Sequence, residues 1–236
     1  MFRIGILGAA DIAFNKFIPA LMKVEGVECA GVASNSPDKL KRFVEKYNVH
    51  VYSSYNEVIG DDSVDCVYIP LPPAFHYEWA KKALLAGKHV FLEKPSTTSA
   101  DDTKELVGIA GEKGLVVQEN YMFQFHAQLK EIESFIASGE LGKLRLVRTS
   151  FGFPRRAEGD FRYVKELGGG TMMDNGGYTI KLIDMLLGES MRLVSSQLDY
   201  DEKTGIDIFG TAEFVNDDGV IRSEEHTSEL QSLRHL

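Results

Sequence analysis

The first 120 residues alternate between short apolar runs and longer amphipathic stretches. Apolar runs such as RIGILGA, VECAGVAS and VDCVYIPL are followed by helix-length stretches such as IAFNKFIPALMK, PDKLKRFVEKYN and HYEWAKKALLAG. Strands separated by helices of this length need crossover connections, which give a parallel sheet with helices on both faces. Pro19 should kink or break the first helix, because proline donates no backbone hydrogen bond. The pattern predicts a doubly wound α/β domain over residues 1–120.

The pattern changes after Asn120. A long amphipathic helix is predicted over about residues 124–138, and the strand-like run LRLVRTSFGF follows it. Next come a glycine-rich helix entry, GGGTMMDNGGYTIKLIDMLLG, and two further strand-like runs, RLVSSQLDY and IDIFGTAEFV. Strands that succeed one another without helices between them indicate antiparallel pairing. Residues 121–221 are therefore expected to form an α+β domain with an open antiparallel sheet.

Composition excludes several classes of protein. The 236 residues are 44% hydrophobic and 26% charged, which is typical of globular chains. The net charge of -9 is spread along the chain, so the broad basic surface of a nucleic-acid binder is missing. The start is a poor signal peptide and no stretch approaches a membrane span. Cys29 and Cys66 lie in apolar strand-like runs and are expected to be buried thiols, which favours the cytoplasm.

The first strand leads into GAADIA, at the position of a dinucleotide-binding loop. Such a loop uses glycines so that its backbone approaches a pyrophosphate and presents helix N-terminal amides to the negative charge. Two of the three glycines of G-x-G-x-x-G are replaced here, by Ala10 and Ala13. A plain strand-to-helix turn is the alternative interpretation, but the place of the loop in a doubly wound domain favours a nucleotide. The predicted cofactor-binding residues of this loop are Gly8, Ala9, Ala10, Asp11 and Ile12.

The end of the second strand bears on the choice of cofactor. NAD binders usually place an acid there, whereas this chain has Ser34, Asn35 and Ser36, with Lys39 close behind. Hydroxyl, amide and ammonium groups suit a 2′-phosphate, so these four residues favour NADP(H) over NAD(H). They also fit a helix cap, with Ser36 capping and Pro37 at the first helical position.

Two further stretches carry candidate chemistry. FLEKPST places Glu93 and Lys94 at the carboxyl edge of the sheet, where a lysine can hydrogen-bond a substrate oxygen. The alternative is that the lysine and proline only mark an exposed strand end. In the second domain, Asp174, Tyr178 and Lys181 have the i, i+4, i+7 spacing of one helical face. A tyrosine flanked by an aspartate and a lysine is a candidate proton donor, although a lone buried tyrosine is usually part of a core.

Taken together, GAADIA, IPLPPAFHYEWAKKALLAGKHVFLEKP and GGGTMMDNGGY resemble the Gfo/Idh/MocA oxidoreductases, the family of glucose-fructose oxidoreductase and inositol dehydrogenase. The resemblance is collinear from residue 2 to about 220. It implies an N-terminal Rossmann domain, a C-terminal open sheet that carries substrate and often builds a dimer, and NAD(P)-dependent hydride transfer. Within the family the chain looks most similar to nucleotide-sugar 3-ketoreductases.

The resemblance also implies roles for single residues. Lys94 falls on the lysine of the E-K-P motif, and Asp174 and Tyr178 fall on the D-x-G-x-[HY] motif, so these three are the predicted catalytic residues. The implied cofactor contacts outside the two loops are Leu71, Pro72, His76, Glu93 and Lys94. The implied substrate contacts are Arg162, Tyr178 and Asn120. Lys181 stands where many members carry a second aspartate, which counts against a polyol dehydrogenase that relies on an Asp and His pair.

The expected reaction is NADPH-dependent reduction of a sugar ketone, in which Tyr178 protonates the alkoxide and Lys94 orients the carbonyl and lowers the phenol pKa. Arg162, with Arg155 and Arg156, can pair with a substrate diphosphate, although a solvated basic loop is as good an interpretation of the last two. Free-sugar, inositol or dihydrodiol dehydrogenation is an alternative, and a non-catalytic dinucleotide sensor is an alternative of another class. No metal is expected, and the full-length protein is expected to be a homodimer or higher oligomer.

The segment RSEEHTSELQS, residues 222–232, needs a separate explanation. It has no clear periodicity, and it can be written in codons that resemble a common short-read library adapter. In the family the second domain continues past this point with further strands and a closing helix. Residues 222–236 are therefore expected to be a non-native tail, which removes His226 and His235 from any metal hypothesis. An incomplete sheet with an open edge is expected to promote aggregation.

Overall fold

The computed structural model describes residues 1–140, 142–188, 190–217 and 219–228. It comprises two compact units, Met1–Asn120 and a second unit that starts at Tyr121. The helices and strands of the first unit, in chain order, are β1 (Phe2–Leu7), α1 (Ile18–Leu21), β2 (Val27–Ala33), α2 (Pro37–Tyr47), α3 (Tyr55–Gly60), β3 (Cys66–Ile69), α4 (His76–Leu85), β4 (His89–Glu93), α5 (Ala100–Lys113) and β5 (Val117–Asn120).

The five strands of the first unit form one sheet in the order β2-β1-β3-β4-β5, and every neighbouring pair is parallel. β1 and β3 lie next to each other although β2 comes between them in the chain, so the strand order reverses at β1. Two buried apolar clusters pack against the sheet, one around Val67 and Leu84 and the other around Ile6 and Phe43. The predicted doubly wound α/β class is confirmed.

The first helix is irregular, as Pro19 predicts. Residues Ala13–Phe17 form a π-helical turn, and α1 follows with Pro19 in its first turn. A π turn is closed by i→i+5 hydrogen bonds and holds one residue more than an α turn. Because proline is tolerated in the first turn of a helix, the chain accommodates Pro19 by starting a new segment at Ile18.

The second unit contains two helices of at least two turns and four strands, among the described residues. In chain order they are α6 (Ala127–Ser138), β6 (Leu146–Gly152), α7 (Gly177–Leu187), β7 (Met191–Tyr200), β8 (Asp207–Asn216) and β9 (Ile221–Thr227). Helix α6 begins at Ala127, after the predicted start, because His126 accepts a hydrogen bond at Nδ1 from the N–H of Gln128 and caps the helix. A second π-helical turn, Met172–Gly176, precedes α7.

The sheet of the second unit is mixed, which corrects the expectation of an antiparallel sheet. Its order is β6-β9-β8-β7; β7 with β8 and β8 with β9 are antiparallel, but β6 with β9 is parallel. The run of successive strands predicted the antiparallel pair of β7 and β8 correctly, whereas β9 was not among the predicted strands. The parallel pair arises because α7, β7 and β8 all lie between β6 and β9 in the chain, so the two strands meet only through a long crossover.

Residues 221–227, which include the start of the expected non-native tail, lie between β6 and β8 as strand β9. The strand alternates as a half-buried strand should, with Arg222, Glu224 and His226 each at most 3% exposed. The alternation of apolar and polar residues that predicts a strand is missing here, because charged residues occupy the inward positions where apolar residues are expected. Residues 229–236, with His235, lie outside the described residues.

Candidate functional site

A cavity of about 510 Å³ lies at the carboxyl ends of β1, β2 and β3 in the first unit. Ligands of open α/β sheets bind at this edge, where the strand order reverses. The lining residues are Gly8, Ala9, Ala10, Ser34, Asn35, Ser36, Lys39, Tyr55, Pro70, Leu71, Pro72, Phe75, Glu78 and Trp79. Nine of the residues predicted to bind the cofactor are in this wall: three from the loop after β1, four from the end of β2 and two from the end of β3.

Gly8 brings two of these segments together. Its φ is 120°, a backbone conformation that only glycine adopts easily, and its N–H donates to the Ala33 carbonyl. A Cβ atom at this position would lie 2.8 Å from Cδ2 of Leu71. Retaining this one glycine of the motif therefore lets the loop after β1 approach the loop after β3.

Asp11 and Ile12 are not among the lining residues, although the sequence predicted cofactor contacts for both. The Asp11 carboxylate instead pairs with the guanidinium of Arg42, at 2.6 Å, and the same guanidinium donates to the Ala9 carbonyl at 3.1 Å. It also lies 4.7 Å from the centre of the Phe14 ring. Arg42, which the sequence did not single out, thus fixes the loop after β1 from helix α2.

The end of β2 forms the polar part of the wall. Ser36 occupies the N-cap position of α2, but its hydroxyl accepts no bond from the helix, which corrects the capping expectation. Its N–H donates to the Ser34 hydroxyl at 3.0 Å instead, so the two serines close a turn of their own. Asn35 and Lys39 line the cavity beside them.

The aromatic part of the wall was not predicted. Phe75 and Trp79 both line the cavity, and Trp79 packs edge to face on Tyr55 with ring centres 5.0 Å apart. The four-residue spacing of Phe75 and Trp79 just after a strand end is a signal that was available in the sequence. Tyr55, in contrast, comes from α3, and only the fold brings it to the cavity.

His76 is fully buried and is not in the cavity wall. Its Nδ1 lies 2.8 Å from the Pro95 carbonyl oxygen and its Nε2 lies 2.7 Å from the Leu71 carbonyl oxygen. Burial lowers the pKa of His76, and the two carbonyls oppose that change. Both ring nitrogens thus lie against backbone carbonyl oxygens, and the cofactor contact predicted for His76 stays a prediction.

Glu93 and Asn120, two of the predicted site residues, are hydrogen-bonded to each other. The Tyr68 hydroxyl and the Asn120 amide donate to the same oxygen of Glu93, at 2.5 Å and 2.7 Å. Tyr68 is fully buried and stacks on Phe17, and burial raises the pKa of its hydroxyl. The amide of Asn120, predicted to contact substrate, thus orients the carboxylate that precedes Lys94.

Tyr178, in the second unit, lies in a cluster of aromatic rings. The ring centres of Tyr121, Phe151 and Phe123 are 5.1 Å, 4.7 Å and 5.8 Å from that of Tyr178. The tyrosine is half-buried in the first turn of α7. Aromatic neighbours hold a phenol ring in place and lower the local polarity, which suits a group that donates a proton at a fixed point.

Arg162 binds protein carboxylates. Its Nε donates to Asp174 at 2.8 Å and its Nη1 donates to Asp160 at 3.1 Å. Asp174 lies in the π turn, whereas Tyr178 and Lys181 lie on α7, and Lys181 pairs with Asp184 at 3.6 Å. The fold thus places two carboxylates beside the guanidinium of Arg162, and its predicted substrate contact stays a prediction.

Metal-binding side-chain clusters and membrane-spanning helices are both absent from the described part of the chain. No set of three or more histidine, cysteine, aspartate or glutamate side chains there is arranged to hold a metal ion. No helix in that part is both long enough and apolar enough to cross a membrane.

Two family models match the chain. Residues 2–121 match the oxidoreductase family with an NAD-binding Rossmann fold, and residues 129–227 match the GFO/IDH/MocA C-terminal domain. Among relatives, the dTDP-3,4-didehydro-2,6-dideoxy-alpha-D-glucose 3-reductase of Saccharopolyspora spinosa is 36% identical over 93% of this chain and 66% of its own length. The enzyme of the same name from Streptomyces violaceoruber is 39% identical over 89% of this chain and 61% of its own length.

Other relatives have related activities. The D-xylose 1-dehydrogenase (NADP(+)) 2 of Haloferax volcanii is 33% identical over 98% of this chain and 71% of its own length. Among solved structures, KijD10, a 3-ketoreductase from Actinomadura kijaniata in complex with NADP and TDP-benzene, superposes with a TM-score of 0.93. It is 35% identical, and the match covers 97% of this chain and 70% of that one.

The chain thus spans slightly less than two thirds of the length of the two reductases. Both family models match in the order in which the two units occur, and the motifs that carry the resemblance lie within the matched residues. The chain belongs to the Gfo/Idh/MocA oxidoreductase family.

Proposed function

We propose that the protein is an NADP(H)-dependent oxidoreductase that reduces the keto group of a nucleotide-linked sugar. The observation that carries the proposal is the cavity at the carboxyl ends of β1, β2 and β3, with its retained glycine and polar wall. A hydride-transferring enzyme needs a dinucleotide held at this edge of the sheet. The family match to an NAD-binding Rossmann domain supports the same assignment.

The choice of NADP(H) rests on the donors at the end of β2. Ser34, Asn35, Ser36 and Lys39 line the cavity where an acid would accept hydrogen bonds from the ribose of NAD. Hydroxyls, an amide and an ammonium group donate to a phosphate, and none of them repels its charge. This donor set fits a 2′-phosphate, and the A. kijaniata relative was crystallised with NADP.

In the proposed reaction, bound NADPH supplies the hydride. Lys94, half-buried at the end of β4, donates a hydrogen bond to the substrate carbonyl oxygen and favours negative charge on it. Tyr178 gives its hydroxyl proton to the alkoxide that forms. Asp174, held by Arg162, keeps a negative charge in the turn that leads into the tyrosine helix.

The substrate class comes from the relatives. Both reductases are named for a dTDP-linked didehydro-dideoxyglucose and for reduction at carbon 3, and KijD10 was crystallised with TDP-benzene. We therefore propose a nucleotide-sugar 3-ketone as substrate. The D-xylose dehydrogenase relative supports a second candidate, NADP-dependent oxidation of a free aldose.

The test is consumption of NADPH and NADH with a dTDP-linked 3-keto sugar, by wild type and by Tyr178→Phe. Wild type should turn over with a lower KM for NADPH than for NADH. Loss of the proton donor should lower kcat by about 10²–10⁴-fold while NADPH still binds. Tyr200→Phe, at an exposed position of β7, is the matched control and should leave kcat unchanged.

Three outcomes would contradict the assignment. Near-normal turnover by Tyr178→Phe would show that Tyr178 is not the proton donor. Oxidation of D-xylose with NADP⁺, without reduction of the keto sugar, would favour the second candidate. NADPH binding without turnover of either class of substrate would favour a dinucleotide sensor.

A further inference from the structure

The His76 side chain has an unusual set of partners for a buried histidine. It is 0% exposed, and each of its ring nitrogens lies within hydrogen-bond distance of a backbone carbonyl oxygen. A neutral imidazole has one N–H and satisfies one of these carbonyls, whereas the imidazolium satisfies both. Burial lowers the pKa of the ring, and the two carbonyls and the Glu93 carboxylate oppose that change.

The two carbonyls belong to two different functional segments. Leu71, whose oxygen faces Nε2, lines the nucleotide cavity and packs against the position of Gly8. Pro95, whose oxygen faces Nδ1, follows directly after Lys94. The ring therefore spans from the main chain of the cavity wall to the main chain beside the proposed catalytic lysine.

We propose that His76 is a positioning residue that joins the cavity-lining segment at Leu71 to the segment that carries Lys94. The proposal rests on the proposed function, since it assigns a purpose to the position of Lys94. Because each ring nitrogen lies against a carbonyl oxygen, at 2.8 Å and 2.7 Å, the ring packs between two backbone segments and leaves their side chains free to meet ligands. A histidine that only filled space would need neither acceptor.

The test separates the two bonds. In His76→Asn the amide nitrogen replaces Nδ1 and keeps the donor to Pro95, and in His76→Gln it replaces Nε2 and keeps the donor to Leu71. His76→Asn should raise the Kd for NADPH by about 3- to 10-fold, the equivalent of one hydrogen bond, and leave kcat at saturating NADPH within about twofold. His76→Gln should leave the Kd unchanged and lower kcat by about tenfold or more, because Lys94 is displaced.

Two measurements do not depend on turnover. The Kd is read from the fluorescence of Trp79, the single tryptophan of the chain, which lines the cavity. Amide hydrogen exchange at Ser96 and Thr97 should accelerate in His76→Gln and stay at the wild-type rate in His76→Asn. His89→Gln, at the opposite end of β4, is the matched control and should change neither quantity.

Equal changes in the two variants, changes in only one of them, or wild-type values in both would overturn the proposal. Each variant tests one of the two segments by itself. If one variant does not fold, the Kd, kcat and exchange rates of the other variant still test the segment that it affects. If wild type reduces none of the sugars, the proposed function fails; the Kd and the exchange rates still show whether His76 joins the two segments.

Discussion

Gly8 combines a φ of 120° with close packing against Leu71, so alanine there would meet both a strained backbone and a collision. We expect Gly8→Ala to lose about 1–3 kcal/mol of stability from the strained φ. It should also raise the Kd for NADPH at least about tenfold, because a displaced loop loses one or two hydrogen bonds to the phosphates. Thermal unfolding and Trp79 fluorescence measure the two effects.

Gly26 provides the control for this prediction. Its φ is 80°, but a Cβ there would meet nothing within 4 Å, and it lies at the opposite end of β2 from the cavity. Gly26→Ala should therefore cost stability and leave the Kd unchanged. A Kd that changes equally in both variants would mean that Gly8 acts only through the fold.

Single residues also show what the sequence can and cannot reveal about the site. Gly8 and Ser34 were predicted from their places at strand ends, because a strand end fixes which edge of the sheet a residue joins. Arg162 and Asn120 were predicted as substrate contacts, yet they donate to Asp174 and Glu93. Residue type and position indicate which hydrogen bonds a side chain can donate or accept. The group that it actually bonds comes from elsewhere in the fold.

Strand β9 shows the corresponding limit at the scale of an element. Its inward positions carry Arg222, Glu224 and His226, where a strand in a half-buried sheet normally carries apolar residues. Nε of Arg222 and Nε2 of His226 are buried without a hydrogen-bond partner among the described residues. We propose, on the adapter-like codons, that residues 222–236 are not native; the family match and the strand pairing reach residue 227, so the inward charges of β9 are where the proposal is tested.

Apolar replacement of the inward charges tests this proposal. The triple variant Arg222→Leu, Glu224→Val, His226→Val should gain about 1–4 kcal/mol of stability, because well-packed apolar residues replace buried charges that are incompletely satisfied. Denaturant unfolding measures the change. A loss of stability would show that the bonds of Glu224 to Thr179 and His226 belong to an evolved network.

The outward positions of the same strand give the control. Ser223→Val with Glu225→Val raises the β propensity of β9 without touching its inward face. This pair should change stability by much less than the triple variant. Equal gains in the two would assign the effect to strand propensity and not to the inward charges.

At the scale of the whole molecule, the order of strands and helices along the chain predicts the α/β class of the first unit and the α+β class of the second. The match to two family models agrees with both. This order predicted the parallel sheet because crossover connections leave few alternatives. It did not predict the parallel pair of β6 and β9, since pairing over more than seventy intervening residues leaves no local pattern. Tyr55 of the cavity wall was missed for the same reason, since only the fold brings it beside Trp79.

The second sheet ends at β7, a ten-residue strand that pairs only with β8 among the described strands. Val194 on it is 55% exposed. Long exposed edge strands promote pairing with strands of other molecules, and a lysine on the edge strand opposes that pairing. Val194→Lys should therefore reduce self-association, measured by light scattering across a concentration series.

Val107→Lys on helix α5 makes the same change of charge at a similarly exposed valine, away from any sheet edge. It should leave self-association unchanged. An equal reduction in both variants would assign the effect to net charge. The expected homodimer or higher oligomer of the full-length protein stays a prediction that the same series addresses.

The two π-helical turns, Ala13–Phe17 and Met172–Gly176, each precede a helix that follows a chemistry-bearing loop. Such a turn amounts to an α-helix with one residue inserted. Removing that residue would restore a regular helix and rotate everything before it by about 100° relative to everything after it. Chain length at these two points thus sets the orientation of the preceding loop relative to the helix without a change in any side chain.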